Sequence, residues 1–209
     1  NTVESIFDTA EKYYDTCYMA GQSATLYDMK NIVSIDTKLV NIIAIVGIFI
    51  VLLLTFRSLT LPLFLLFSIE TAIWVNLSYA YFTDQYLNFV GYLVISTVQL
   101  GATVDYAILL TNRYLANREV LSKKEAMRVT IDNNLGVILT SAFILSTAGF
   151  ILSLTSTNPI ISELGMLLGR GTVLSFVMVI CVLPALLLLF DRVVKKTMLK
   201  SNFYEANKI

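Results

Sequence analysis

No histidine occurs among the 209 residues, and no HExxH pattern or paired cysteines stand in for it, which argues against a metal hydrolase of the usual kind. A GxxxxGK[ST] loop is missing too, so energy from ATP would have to come from elsewhere. Cysteine appears twice. Cys17 lies in a polar stretch and Cys181 in an apolar run, an arrangement that makes a bridge between them implausible. Charge is equally sparse, at 14 % of residues against 56 % hydrophobic, a balance that soluble domains do not reach. The chain reads as a polytopic membrane protein. Acids and bases balance at fifteen each, which gives no basic excess for a nucleic-acid partner. The chain opens on Asn1 with no cleavable signal segment ahead of the polar stretch, and so reads as part of something longer.

What is present is organised as five apolar runs. Residues 1–36 are polar and mostly acidic, with an amphipathic helix expected over Ser5 to Asp15, a break at Gly21-Gln22-Ser23, and a second helix from Ala24 leading into the first span. This segment is too short to bury a core of its own. The spans are expected at 38–56, 61–82, 87–112, 135–154 and 164–190, each about long enough to cross the hydrocarbon layer. Arg57-Ser58-Leu59-Thr60 is a tight turn that sends the second span back antiparallel, and Pro62 falls in that span's first turn, where a missing N–H is harmless. A second tight turn is expected at Thr83-Asp84-Gln85. Residues 113–133 form a basic loop, in which Ser122 and Glu125 resemble a capping box opening a short surface helix. Asn158-Pro159 marks the last turn, and Pro184 is expected to kink the last span.

Positive charge sets the expected orientation. Arg57, the basic loop and the basic tail 192–209 carry eleven of the fifteen Lys and Arg residues, all on one side. That side is expected to be cytoplasmic. The amino-terminal segment, with the Asp84 turn and Glu163, falls on the extracytoplasmic side.

Asp105 and Tyr106 stand deep in the third span. A carboxylate at mid-bilayer costs about 2.5–3.5 kcal/mol on insertion scales, so such residues face protein or water and serve a pathway. Either Asp105 is locked in a static hydrogen bond or ion pair, or it alternates between protonated and charged forms as access switches. At 100° per residue, Ser96, Gln99, Thr103 and Tyr106 share one side of this helix, whereas Gly101, Asp105 and Asn112 point elsewhere. A helix with polar or small residues on several sides should be central and enclosed by neighbours. The fourth span offers Gly136, Thr140 and Thr147 along one stripe, with Ser141 and Ala148 beside it, as a packing surface or as members of a polar pathway with Gln99 and Thr103. Glu70, mid-way along the second span, is a further intramembrane acid of uncertain role. Arg170 is expected to snorkel or to neutralise Glu163, and Gly165-x-x-x-Gly169 permits close helix packing.

QLGATVDYAILLTNRY at Gln99 to Tyr114, GRG ahead of the Pro184 helix, FDR at Phe190 to Arg192, and GQSATLYD at Gly21 to Asp28 together resemble the MMPL (mycobacterial membrane protein large) branch of the resistance-nodulation-division (RND) transporters. The resemblance covers nearly the whole chain. It implies an all-α integral membrane fold: the last five membrane helices of a second half, preceded at 1–36 by the extracytoplasmic end of a porter domain. It implies that Asp105 and Tyr106 form a proton relay with an equivalent pair on a first half, as part of an exporter of hydrophobic or lipid-like substrates in the plasma membrane, driven by protons and needing no cofactor. A non-transporting, lipid-binding or sensing module of the same superfamily is the alternative. An intramembrane enzyme would need a second acid beside Asp105, for which only Glu70 offers itself.

Overall fold

A computed structural model describes residues 2–14, 17, 18, 20–83 and 89–198. The turn expected at Asp84 and Gln85, the start of the third span at Leu87, Asp15 and the tail residue Lys200 lie outside the described residues. The described secondary structure is helical: α1 (Thr2–Glu11), α2 (Gln22–Phe56), α3 (Thr60–Phe82), α4 (Phe89–Arg118), α5 (Lys123–Thr155), α6 (Pro159–Val177), a π turn (Met178–Val182), α7 (Leu183–Leu189) and α8 (Asp191–Thr197). Among the described residues, five helical stretches are long and apolar enough to cross a membrane. The chain is an all-α membrane protein.

Two compact units divide the chain, 1–42 and 43–209. In the first, α1 ends in a turn closed by Tyr13 N–H donating to the Ala10 carbonyl. Gly21, at φ 137°, supplies a backbone conformation that L side chains rarely adopt, and its carbonyl accepts from Thr25 N–H at the start of α2.

The second unit is a helical bundle. The end of α2 contributes Leu52 and Phe56 to its core, while Leu54 and much of the rest of the helix stay exposed, as suits a surface against lipid tails. α3, α4, α5 and α6 pack on one another around Leu65, Ile69, Leu110, Ile138 and Leu187. Between α5 and α6 the backbones touch. A Cβ on Gly149 would stand 2.6 Å from Gly169 N, and one on Gly165 would stand 2.7 Å from the Gly149 carbonyl, so neither position tolerates a side chain.

Two segments differ from the sequence expectation. The short surface helix expected inside the basic loop is the first third of α5, which runs unbroken from Lys123, because Lys123 to Asn134 contains no glycine or proline to stop it. Ser122 sits at the N-cap in extended conformation, but its side chain makes no capping bond. At Pro184, which cannot donate to the carbonyl four residues back, the helix widens instead of simply breaking: Leu183 N–H reaches the Met178 carbonyl, five residues away, and α7 resumes behind it. The turn before α6 follows its local chemistry, with the Asn158 side chain accepting from Ile160 N–H at 2.9 Å and Pro159 in the first helical turn.

Candidate functional site on the central helix

α4 packs against α3, α5 and α6, and its side chains divide into two faces. Along one face Gln99, Thr103, Ala107, Leu110 and Tyr114 are fully buried, with Ser96 and Tyr106 nearly so. The residues of the other face, Val98, Gly101, Asp105, Asn112 and Ala116, are exposed. Their spacing of three, four and seven residues keeps them in one stripe along the helix. The sequence separates the polar residues into these two sets, but the enclosure expected on every side is met on one face only within this chain. Asp105 lies on the exposed stripe. Neither Asp105 nor Tyr106 makes a side-chain hydrogen bond among the described residues.

The buried face carries a polar network. Gln99 Nε2 donates to the Gly171 carbonyl and to Ser175 Oγ, both at 3.1 Å, while its Oε1 accepts from Asn76 Nδ2 at 2.9 Å. Asn76 Nδ2 also donates to the Leu167 carbonyl at 2.9 Å, and Asn76 Oδ1 accepts from Arg170 Nε at 2.8 Å. Arg170 Nη2 reaches the Asn76 carbonyl at 3.1 Å, and the guanidinium lies 4.0 Å from the centre of the Tyr79 ring. Thr103 donates back to the Gln99 carbonyl at 2.7 Å. Three helices are thereby tied through amides whose capacity is nearly all used, the condition under which buried polar groups specify one packing. Arg170 is thus held by α3 rather than by Glu163: a guanidinium half-buried in the bundle takes the acceptor and the ring that face it across the helix pair.

A second cluster closes the far end of α4. Tyr114 Oη donates to Asp191 Oδ1 at 2.6 Å, and Arg118 grips the same carboxylate through Nε and Nη2, each at 3.1 Å. Asp191 is 6 % exposed and Arg118 7 %, so the pair is a buried, two-pronged ion pair. Arg118 Nη1 also donates to the Leu121 carbonyl, which holds the turn between α4 and α5.

The remaining expected residues fall elsewhere. Thr140 is exposed on α5 and donates to its own helix, to the Gly136 carbonyl at 2.7 Å. Thr147 is half-buried, and no side-chain hydrogen bond among the described residues joins either threonine to Asp105. The buried face of α5 is instead the stripe Ile138, Ala142, Ser146 and Gly149, with Ser146 donating to the Gly169 carbonyl. Thr140 and Gly136 belong to the opposite side, so they do not form the expected pathway with Gln99 inside this chain. Glu70 is half-buried on α3. Asn76, Tyr114, Arg118 and Asp191 join these clusters although they are not among the candidates read from the sequence. Only Asn76 carries a local signal, a lone amide in a largely apolar helix.

The family model of the MMPL family matches residues 1–206. A membrane protein of Streptomyces coelicolor, SCO0839, is 28 % identical over 184 residues, which cover 83 % of this chain and 25 % of that protein. The hopanoid transporter HpnN of Rhodopseudomonas palustris is 36 % identical over 92 residues, 44 % of this chain and 11 % of that protein. The chain therefore spans a small part of the length of these relatives. With a family match that runs almost from end to end over five apolar helices, the chain belongs to the MMPL family.

Proposed function

We propose that this chain supplies membrane helices to a proton-driven exporter of hydrophobic or lipid-like substrates, with Asp105 as the titrating carboxylate and Tyr106 as its hydroxyl partner. The observation that carries this reading is the two-faced α4. An acid on an exposed stripe at mid-helix cannot rest against lipid without a cost of about 2.5–3.5 kcal/mol. The stripe Val98, Gly101, Asp105, Asn112 therefore receives a further helix, carried by a first half of the complete transporter, whose own Asp-Tyr pair meets Asp105 and Tyr106. HpnN, a hopanoid transporter by name, supports a lipid-like cargo.

Protonation of Asp105 removes the charge that holds the two helices in one arrangement. Each proton moving down the field yields about 2.3 kcal/mol per 100 mV, enough to bias a two-state rearrangement. The Gln99 network fastens α4 to α3 and α6, so a shift of α4 moves those helices with it, and α2 relays the movement to the porter segment at 1–36. The basic end of the bundle is cytoplasmic on this reading, in the plasma membrane, and the amino-terminal segment extracytoplasmic. The test is transport by the complete protein with Asp105→Asn, assayed with and without a proton gradient. Gradient-driven transport should fall to background while folding and membrane insertion persist. Transport that keeps its gradient dependence without the carboxylate rejects the relay, and lipid binding indifferent to both would favour a sensing module.

A further inference from the structure

At the basic end of the bundle, the turn between α2 and α3 and the end of α8 border an open cavity of about 790 Å³ lined by Leu53, Leu54, Arg57, Ser58, Leu59 and Thr197. Its walls are amphipathic. Leu54 and Leu59 open it towards the lipid-facing surface, both being exposed, and Ser58, hydrogen-bonded to Thr197 Oγ1 at 3.1 Å, ties the turn to α8. Arg57 supplies the cavity's single charge; its backbone N–H donates to the Leu53 carbonyl, and its guanidinium makes no hydrogen bond or ion pair among the described residues.

Arg57 also stands at φ 49°, the sole non-glycine residue with positive φ among the described residues. It follows the last residue of α2, a position that glycine fills without strain and an arginine fills at a cost. A backbone that would be more comfortable with glycine has an arginine instead, and that arginine lines the cavity. The neighbouring helix α8 carries further positive charge. On α8, Arg192 and Lys196 are exposed, and its only acid, Asp191, is already committed to Arg118.

We propose that this cavity is a binding site for an anionic phospholipid, with the phosphate on Arg57 and an acyl chain along Leu53, Leu54 and Leu59. Guanidinium suits a phosphate because its planar fork donates to two oxygens at once. Basic pockets between membrane helices at the headgroup level take lipids of this class. The site is separate from Asp105 and stands whether or not the relay does.

The test uses the full chain purified in zwitterionic detergent and titrated with phosphatidylglycerol or phosphatidylcholine, with bound lipid counted by native mass spectrometry. The wild-type chain should prefer phosphatidylglycerol by about fivefold, the contribution of one cation at a membrane surface. Arg57→Gly should abolish that preference while leaving the thermal midpoint unchanged or raised, since glycine relieves the left-handed residue. Arg57→Lys should retain most of it, and Leu53→Trp, which fills the cavity, should weaken both lipids. A preference that survives Arg57→Gly overturns the proposal, as does glycerol phosphate without acyl chains competing as well as the lipid. A midpoint that falls with Arg57→Gly and is not matched by rescue in Arg57→Lys assigns the arginine to folding and also rejects the site.

Discussion

Asp105 and Gln99 lie six positions apart on α4 and meet opposite fates. Gln99 is fully buried and spends its donors on Gly171 and Ser175, whereas Asp105 is exposed and bonded to nothing among the described residues. The difference is angular, since six residues at 100° place the two side chains far apart around the helix. The Gln99 side depends on Gly171, the second glycine of the GRG motif. A Cβ on Gly171 would overlap Gln99 Oε1 and stand 2.5 Å from Asn76 Nδ2, so the amides could not keep their bonds. Gly171→Ala should destabilise the bundle by about 2–4 kcal/mol, combining overpacking with a buried amide left unsatisfied. Reversible unfolding in mixed micelles measures this, and a loss within experimental scatter would mean that α6 slides to make room. Gly165, one residue of the small-residue pair evident in the sequence, does meet Gly149 across α5; the partner itself came only with the fold.

At the scale of elements, α4 is clamped at its far end by α8 and along its middle by α3 and α6. Removing Asp191 strands the Arg118 guanidinium in a site where it is 7 % exposed. Asp191→Ala should therefore cost about 3–5 kcal/mol. Arg118→Met combined with Asp191→Leu should recover most of that loss, because an apolar pair carries no desolvation penalty. A double variant as unstable as the single one would show that the cluster acts through Tyr114 or the Leu121 carbonyl rather than through the ion pair. The element boundaries themselves were only partly legible. Five apolar runs separate cleanly in the sequence, but nothing in composition alone says that α5 begins at Lys123 as one helix through the basic segment. Helix continuity past a membrane boundary is decided by the absence of a breaker, not by the change in polarity.

For the whole molecule, the ends of α5 report orientation. Its 33 residues rise about 50 Å at 1.5 Å each, so Lys124 and Thr157, both exposed, stand near opposite surfaces of a bilayer. With Cys17 and Cys181 replaced by serine, a membrane-impermeant maleimide should label Thr157→Cys in intact cells and Lys124→Cys only after permeabilisation. The reverse pattern would invert the proposed topology.

Sequence by itself determined the class, the number of membrane-crossing stretches, the asymmetry of positive charge and the placement of Asp105 in the third of them, because each of these is a property of composition or of spacing along one helix. Tertiary structure decided which face of α4 is covered, that Arg170 turns to Asn76 and Tyr79, that Asp191 closes the end of α4, and that Thr140 lies away from Gln99. Those outcomes depend on the rotation of each helix about its axis, which is fixed by close contacts such as Gly149 on Gly165 and is not written in any one helix alone.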